Sequence, residues 1–302
     1  MQSANSVFLV QPCSFSFNNE TAASNTFQQK IESLLEEEIN NKVLVEFKNL
    51  TSILIENGIK VHVFKDTPTP IKPDAIFPNN WISVTDSKMI IYPMCNINRR
   101  TEKRIAIIQY IKNNYSIKEV IDFSAFEKEN KFLEGTGSIV FDHENKKAYA
   151  SLSPRTNKEL FIELAHQLNY QPIFFHSYDQ HKTLIYHTNV MMNIGNGFAI
   201  ICLESITDKE ERAHVINELQ TTQHEIIDIS TEQVHHFAGN MLTLNSPKGK
   251  IVVLSQHAYD SLSKNQIQKL KKHGDLLPID VNTIETIGGG SVRCMIAELF
   301  AE

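Results

Sequence analysis

The chain closes on a glycine-rich stretch that delivers a single cysteine. Gly288, Gly289 and Gly290 are followed after three residues by Cys294, and an apolar segment comes next. Successive glycines let a backbone adopt positive φ and approach a ligand closely. Arg293, beside the cysteine, is expected to favour the thiolate, which is the nucleophilic form. The stretch indicates either a nucleophile or, with equal weight, a glycine turn beside a buried structural cysteine.

Four other polar loops interrupt the pattern of strands and helices. They lie at 74–81, 134–138, 155–157 and 187–189. Each also has an ordinary structural explanation, as an Asx-rich turn, a helix cap or a surface arginine. A thiolate nucleophile requires a histidine to transfer protons, and that histidine requires a carboxylate to fix its tautomer. Cys294, His187 and Glu134 supply one of each, so we expect the loops to converge on one site.

Metal and dinucleotide sites are weaker interpretations of other residues. His235 and His236 are adjacent, but no third ligand follows at a spacing typical of zinc. Gly135 and Gly137 lack the third spaced glycine of a dinucleotide-binding loop, and they precede a predicted strand where that motif opens a helix. The sequence therefore predicts neither a metal nor a cofactor.

Composition is that of an ordinary globular protein. The 302 residues are 41% hydrophobic and 21% charged, and the length alone suggests roughly two domains. The net charge of −6 argues against nucleic acid as a partner, because phosphate binding needs a basic face. No apolar run is long enough to cross a membrane, and the N-terminus has no basic flank before an apolar signal segment. Four dispersed cysteines, at 13, 95, 202 and 294, fit free thiols, so we expect a cytoplasmic protein.

Strand-like and helix-like segments alternate in about five blocks of roughly 60 residues. Helices are predicted at 28–57, 101–112, 159–168 and 207–219, with a capping box from Thr207 to Glu210, and Ser263 caps a last helix. Strands are predicted at 7–10, 61–64, 82–84, 89–92, 139–141, 149–152, 173–175, 184–186, 198–203 and 251–254. This alternation predicts an α/β fold.

Five motifs together carry a resemblance to a known superfamily. They are Phe-Pro-Asn-Asn-Trp at 77–81, Leu-Glu-Gly-Thr-Gly-Ser at 133–138, Tyr-His-Thr-Asn-Val-Met-Met at 186–192, His-Phe-Ala-Gly-Asn-Met-Leu at 236–242, and the stretch 288–294. In this order they resemble the guanidino-modifying superfamily of arginine deiminases, dimethylarginine dimethylaminohydrolases and amidinotransferases, and most closely the citrulline utilisation hydrolases. The resemblance implies one domain over 1–302, a five-bladed α/β propeller (pentein) with pseudo-fivefold symmetry, in place of two domains.

The resemblance also assigns roles to single residues. It implies that Cys294 attacks a guanidino or ureido carbon, that His187 is the general acid and base, and that Glu134 orients His187. Arg155, within Ser-Pro-Arg-Thr-Asn, resembles the arginine that binds the substrate α-carboxylate in dimethylarginine dimethylaminohydrolases, with Arg99 or Arg100 as the second cation. The other substrate-binding residues expected from these loops are Asp74, Phe77, Asn79, Asn80, Asn189 and Asn240.

Two departures from the superfamily pattern point to the substrate. Deiminases of this superfamily hold the guanidinium between two carboxylates, and the matching positions here are Asn80 and Asn189. A guanidinium offers only donors, and burying its charge without a countercharge costs several kcal/mol. A ureido group is neutral and offers both donors and an acceptor, which a carboxamide can match.

The expected activity is hydrolysis of citrulline to ornithine, ammonia and carbon dioxide. Three alternatives stay open: an arginine dihydrolase or deiminase, an amidinotransferase, and a binding protein on the same fold. Arginine dihydrolases of the superfamily resemble this chain in carrying Asn in the first loop. The expected partner is a small amino acid, with neither nucleic acid nor membrane, and a homodimer is compatible with the sequence.

Overall fold

Five three-stranded sheets of one topology make up the computed structural model, which describes residues 1–300. In each sheet the middle strand pairs antiparallel with one neighbour and parallel with the other. The strands are β1 (Ser6–Gln11), β2 (Lys60–Lys65), β3 (Ile82–Thr85), β4 (Lys88–Ile91), β5 (Glu119–Asp122), β6 (Val140–Asp142), β7 (Lys147–Ser151), β8 (Gln171–Phe175), β9 (Met192–Gly195), β10 (Phe198–Ile201), β11 (Glu225–Asp228), β12 (Leu242–Ser246), β13 (Gly249–Ser255), β14 (Asp275–Ile279) and β15 (Ala297–Glu298). The fold is α/β, as the sequence predicts, and five such sheets fit a fivefold arrangement.

Helices make the long connections that parallel strand pairs require. Within the same residues they are α1 (Asn19–Ala22), α2 (Glu36–Glu56), α3 (Ile105–Asn114), α4 (Gly135–Ser138), α5 (Lys158–Gln167), α6 (Thr188–Met191), α7 (Lys209–Thr221), α8 (Thr231–His235), α9 (Gln256–Ser261), α10 (Lys264–Leu270), α11 (Asn282–Gly288) and α12 (Val292–Met295). The crossovers are α2, α3, α5, α7 and the pair α9–α10. Among residues 1–300 no helix combines the length and the apolar character that crossing a membrane would need.

The last strand of the chain completes the first sheet. β15 pairs antiparallel with β1, which pairs in parallel with β2, so this sheet has the order β15-β1-β2. The other four sheets are each built from consecutive strands. The two ends of the chain are therefore joined in one sheet, and the segment that carries Cys294 is held directly before β15.

Helix α2 illustrates how the apolar spacing forms the core. Val43, Phe47, Leu50 and Leu54 recur every three to four residues and are buried on one face. Each such side chain contributes roughly 2 kcal/mol by leaving water. The predicted start at residue 28 is wrong, because α2 begins after Leu35, whose N–H donates to the Glu38 side chain.

Three further predictions about elements need correction. The segment 184–186 forms an isolated bridge with a neighbouring loop and no strand among the described residues, since the N–H of Ile185 donates to the Ser177 carbonyl. Helix α7 is capped by Asp208, whose side chain accepts from two backbone N–H groups, and not by Thr207. The glycine loop at 135–138 is itself the short helix α4, and β6 begins two residues later than its last residue.

The predicted motif loops occupy equivalent places in the five sheets. Each precedes the outer antiparallel strand of its sheet: residues 78–80 precede β3, α4 precedes β6, α6 precedes β9, residues 239–241 precede β12, and α12 precedes β15. The turn at 78–80 contacts both α4 and α12, and α4 contacts α6. The repeated topology thus brings these segments together, although they are far apart in sequence.

Candidate active site

One cavity gathers most of the residues that the sequence singles out. Its lining includes Asp74, Phe77, Asn80, Arg99, Arg155, His187 and Cys294, together with the three glycines of 288–290. Asn79, Glu134, Asn189 and Asn240 lie directly behind these side chains and hydrogen-bond to them or to each other. Of the residues proposed, Arg100 lies apart, with its guanidinium bound to the carbonyls of Met94 and Cys95.

Glu134 and His187 form a fully buried pair. Glu134 Oε2 accepts from His187 Nε2 at 2.8 Å. Burial acts to raise the pKa of Glu134, but Arg155, His187 and Arg99 outweigh it and lower that pKa to about 2. Burial also lowers the pKa of His187 to about 4, against the opposing pull of Glu134. At neutral pH the pair is therefore a carboxylate and an uncharged imidazole.

The tautomer of His187 follows from this hydrogen bond. The carboxylate can only accept, so the imidazole proton is on Nε2 and Nδ1 carries the lone pair. Gly137 leaves space for Nδ1, because a Cβ on that residue would come within 2.7 Å of it and within 2.6 Å of Asn80 Nδ2. The unprotonated nitrogen and the Asn80 amide nitrogen thus both lie close to Gly137.

Two carboxamides donate to the sulfur of Cys294. Asn189 Nδ2 lies 3.4 Å from Sγ and Asn240 Nδ2 lies 3.3 Å from it. An ionised acceptor gains more from such donors than a neutral one does. The Cys294 side chain is buried, and the backbone N–H of the residue donates to the carbonyl of Ser291 at 2.9 Å. The sulfur is therefore held in one place, facing the cavity that His187 also lines.

The expectation that Arg293 assists the neighbouring thiol is wrong. Its guanidinium donates to the carbonyl of Ile296 at 3.0 Å and to Glu298 at 3.0 Å. It lines a second cavity, whose lining does not include Cys294. Residues adjacent in a short helical turn point in different directions, so sequence adjacency to Cys294 does not place the charge beside Sγ.

Asn80 is held by hydrogen bonds on both sides of its amide. Arg99 Nη1 donates to its Oδ1 at 2.8 Å, and its Nδ2 donates to Asn79 Oδ1 at 3.0 Å. Arg99 in turn binds Glu102 through Nε and Nη2, both at 2.9 Å. Burial raises the pKa of Glu102, and Arg99 opposes that rise.

Arg155 is buried beneath the N-terminal loop and over the ring of Tyr186. Its Nε and Nη2 bind Ser24 Oγ and the Thr21 carbonyl, whereas Nη1 faces Glu134 at 3.6 Å. The alternative of a surface arginine is wrong for this residue. Among residues 1–300, Nη1 has no hydrogen-bond acceptor at closer range, which leaves its donors for a ligand in the cavity.

Asp74 and Phe77 shape another wall of the cavity. Asp74 Oδ2 accepts from Asn18 at 2.7 Å, while Oδ1 has no hydrogen-bond partner among residues 1–300. Burial raises the pKa of Asp74, and Arg99 opposes the rise. The Phe77 ring packs on the glycine turn, where a Cβ on Gly288 would come within 2.8 Å of it. This contact explains why the turn at that position contains glycine.

A family model matches nearly the whole chain. The model describes eukaryotic N,N dimethylarginine dimethylhydrolases, and the match covers residues 11–301. The chain belongs to this family. The family lies within the guanidino-modifying pentein superfamily, which confirms the resemblance drawn from the five motifs, and the protein is a hydrolase of carbon–nitrogen bonds other than peptide bonds.

Solved structures share the fold at low sequence identity. The N-terminal domain of ArgZ, a cyanobacterial arginine dihydrolase solved with substrate, is 15% identical with a TM-score of 0.75, over 98% of this chain and 99% of that chain. AgrE, solved with L-arginine, is 16% identical with a TM-score of 0.75, over 96% of this chain and 39% of its own. A dimethylarginine dimethylaminohydrolase adduct with S-methyl-L-thiocitrulline is 14% identical with a TM-score of 0.67, over 97% and 99%. No curated protein sequence matches the chain.

Three residues of the candidate site were not predicted from the sequence. Tyr186 lines the cavity, and its hydroxyl donates to the Gly289 carbonyl at 2.5 Å. Asn25 also binds that carbonyl, at 3.2 Å, and Glu102 supports Arg99. Tyr186 stands next to His187 within one of the five motifs, which was an available signal. Asn25 and Glu102 lie in a polar loop and a predicted helix, where nothing in the spacing marks them.

The two adjacent histidines lie outside the cavity. His235 stacks on Phe27 at a ring distance of 5.1 Å, and His236 contacts the ring of His257 at 6.2 Å. In the part of the chain that the structure describes, no group of three or more His, Cys, Asp or Glu side chains is arranged to hold a metal ion.

Proposed function

We propose that this hydrolase cleaves the ureido group of citrulline and releases ornithine, ammonia and carbon dioxide. The observation that carries the proposal is the pair of carboxamides, Asn80 and Asn189, next to His187 and Cys294. A cation at this position would lie beside neutral amides. Burying its charge there without carboxylate partners would cost several kcal/mol of binding free energy. The neutral ureido group has no such requirement.

The residues in the cavity support a cysteine mechanism. Cys294 transfers its proton to Nδ1 of His187 and attacks the ureido carbon, whose oxygen takes up negative charge. One C–N bond breaks, and His187 returns the proton to the departing amine. Water, deprotonated by His187, then cleaves the thiocarbamate on Cys294, and the resulting carbamate loses carbon dioxide. One citrulline and one water thus yield one ornithine, one ammonia and one carbon dioxide.

Glu134 keeps His187 ready for both proton transfers. Its hydrogen bond to Nε2 fixes the tautomer, and its charge stabilises the imidazolium that forms during the attack. Because the pKa of His187 is lowered to about 4, the imidazole is unprotonated at neutral pH before it takes the proton from Cys294 and again after it returns that proton. This matches a group that accepts and returns a proton within each step.

The two ends of the amino-acid moiety have complementary partners. Arg155 Nη1 is suited to the α-carboxylate, because a guanidinium matches a carboxylate in shape and charge. The unpaired Oδ1 of Asp74 is suited to the α-ammonium group. We place both groups at the far end of the substrate from the sulfur.

Arginine dihydrolysis is the second candidate. ArgZ and AgrE, whose folds this chain shares, were solved with a substrate or with L-arginine. The unpaired carboxylate oxygen of Asp74 could also face a guanidinium instead of an ammonium group. In that case one arginine and two waters would yield one ornithine, two ammonia molecules and one carbon dioxide.

The proposal extends to the whole molecule. The five sheets of equal topology support a five-bladed propeller with pseudo-fivefold symmetry, formed as one catalytic domain by residues 1–302. All four cysteines are free, which supports work in a reducing compartment such as the cytoplasm. A homodimer remains part of the proposal.

Product analysis tests the proposal directly. Purified protein is incubated with citrulline, and ornithine and ammonia are quantified, with Cys294→Ala as the inactive control. We expect equal amounts of the two products from the wild type. Absence of ornithine, together with conversion of arginine to accumulating citrulline, would make the protein a deiminase and overturn the proposal.

A further inference from the structure

Tyr186 contacts three separate parts of the candidate site. It lies directly before His187, and its buried side chain lines the cavity. The face of its ring lies against the guanidinium of Arg155, whose Cζ is 4.9 Å from the ring centroid. Its hydroxyl donates to the Gly289 carbonyl at 2.5 Å. One side chain thus connects the arginine and the glycine turn, beside the histidine.

The ring of Tyr186 restricts the orientation of Arg155. At its edge the guanidinium is bound by Ser24 Oγ, through Nε and Nη2, and by the Thr21 carbonyl, through Nη2. These bonds hold two of its nitrogens. The aromatic face restrains the plane of the whole group, because a guanidinium stacks favourably on an aromatic ring. The Nη1 donors, which we assign to the substrate α-carboxylate, therefore keep a fixed direction.

The backbone of Tyr186 is bound to the same arginine loop. Ser153 Oγ donates to the Tyr186 carbonyl at 2.8 Å and accepts from the backbone N–H of Arg155 at 3.1 Å. The tyrosine therefore contacts this loop through its ring and through its main chain. Two such contacts fix the ring relative to the guanidinium.

The hydroxyl of Tyr186 holds the turn that carries Cys294. Gly289 has a φ of +62°, and its carbonyl also accepts from Asn25 Nδ2 at 3.2 Å. Burial raises the pKa of Tyr186, and charge on Cys294 raises it further, so the phenol stays an O–H donor. The next residue of the turn, Gly290, lies against the nucleophile, since a Cβ there would be 3.4 Å from Cys294 Cβ. The hydroxyl thus restrains the backbone next to the nucleophile.

We infer that Tyr186 is a positioning residue for two parts of the substrate. Its ring orients Arg155 for the α-carboxylate, and its hydroxyl orients the glycine turn that presents Cys294 to the ureido carbon. The ring therefore acts on substrate binding. The hydroxyl acts on the chemical step, in which a small displacement of the sulfur is costly. This inference rests on the proposed function and adds the residue that connects the carboxylate site with the nucleophile.

Two substitutions separate the ring from the hydroxyl. Tyr186→Phe keeps the ring and removes the hydroxyl, whereas Tyr186→Leu removes both. The substrates are citrulline and N-carbamoylputrescine, which is citrulline without the α-carboxylate. We expect Tyr186→Phe to lower kcat about tenfold for both substrates, because the turn is less firmly held. Both KM values should stay within about twofold of wild type, because Arg155 keeps its aromatic partner.

The leucine variant should also affect binding. Tyr186→Leu should lower kcat at least as much as Tyr186→Phe and should raise the KM of citrulline about tenfold. The KM of N-carbamoylputrescine, which has no carboxylate for Arg155, should change less than about threefold. The matched control is Tyr259→Phe, in α9, because Tyr259 does not line this cavity. Its kinetics should equal those of the wild type.

Alkylation of Cys294 gives a readout that needs no substrate. The rate constant for reaction with iodoacetamide is measured by mass spectrometry on the peptide that contains Cys294. A sulfur displaced from His187 forms its thiolate less readily, so Tyr186→Phe should slow the reaction about threefold or more. A merely structural tyrosine would lower the melting temperature and leave this rate unchanged.

Three results would overturn the inference while the proposed function stands. They are an unchanged kcat in Tyr186→Phe, an unchanged rate of Cys294 alkylation in that variant, and equal increases of the two KM values in Tyr186→Leu. Failure of the wild type to release ornithine from citrulline would instead overturn the proposed function. The alkylation rates would then decide: slower reaction of Tyr186→Phe would support the inference, and the wild-type rate would refute it.

Discussion

The protonation state of His187 is the feature at residue scale with the clearest pH consequence. Its pKa is lowered to about 4 by burial, so the base is available above that pH. We expect kcat/KM to rise as pH increases through about 4, to the extent that the protein stays folded. A rise centred near 6.5, the ordinary histidine value, would contradict this assignment. The measurement is a kcat/KM profile with stability checked at each pH.

The same shift affects stability. Because the folded-state pKa lies below the unfolded one, the unfolded chain binds more protons between about pH 6.5 and about pH 4. The free energy of unfolding should therefore fall as pH drops through this window. His187→Gln should remove this part of the pH dependence, as measured by urea unfolding at a series of pH values.

Cys294 should be the one cysteine needed for turnover. Its sulfur lies in the cavity and accepts two amide donors, whereas Cys13 is exposed and elsewhere on the surface. Cys294→Ala should lower kcat by about three orders of magnitude or more, with the melting temperature little changed. Cys13→Ala is the matched control and should keep full activity. Retention of more than about a tenth of the activity by Cys294→Ala would contradict the mechanism.

At the scale of elements, Gly137 in α4 makes room for the side chains of Asn80 and His187. A Cβ on Gly137 would come within 2.6 Å of Asn80 Nδ2 and 2.7 Å of His187 Nδ1, closer than real contacts allow. Gly137→Ala should lower kcat/KM about a hundredfold, because small displacements at a reacting centre are costly. Gly249→Ala, at the first residue of β13, where a Cβ meets nothing within 4 Å, should cost stability only. Similar kinetics for the two variants would refute this packing argument.

The sequence predicted the elements whose own residues determine them. Apolar spacing placed α5 and α7 within two residues of their ends, and the strands around 82–92 were predicted nearly to their bounds. The predictions were wrong where contacts with residues distant in the sequence determine the secondary structure. Residues 28 and 29 stay out of α2 because Gln28 and Gln29 bind the carbonyls at 286–287. The backbone at 184–186 likewise pairs with a loop that periodicity cannot identify.

The candidate site shows the same division. Residue types suited to chemistry, namely Cys294, His187 and Glu134, could be selected from the sequence, and the structure brings them together. The directions in which side chains point could not be predicted from the sequence. Arg293 points away from the sulfur, and Arg99, not Arg100, lies in the cavity. Both outcomes depend on partners that follow only from the tertiary fold.

At the scale of the whole molecule, closure of the first sheet by the last strand should matter for stability. The Leu299 N–H donates to the Ser6 carbonyl at 2.9 Å, next to the pairing of β15 with β1. Leu299→Pro removes this donor and should lower the free energy of unfolding by roughly 3 kcal/mol. Leu299→Ile keeps the N–H and the volume, and should cost less than about 1.5 kcal/mol. Equal urea midpoints for the two variants would show that this pairing does not close the fold.

The central claim is that a neutral ureido group, and not a guanidinium, fits between Asn80 and Asn189. Direct competition tests it: citrulline and arginine are mixed in equal amounts with the wild-type protein, and the loss of each is followed by amino-acid analysis. Each missing countercharge costs a cation about 2 kcal/mol or more, and 1.4 kcal/mol is about tenfold, so citrulline should be consumed at least tenfold faster, with ornithine appearing. Faster loss of arginine, with citrulline accumulating, would contradict the account.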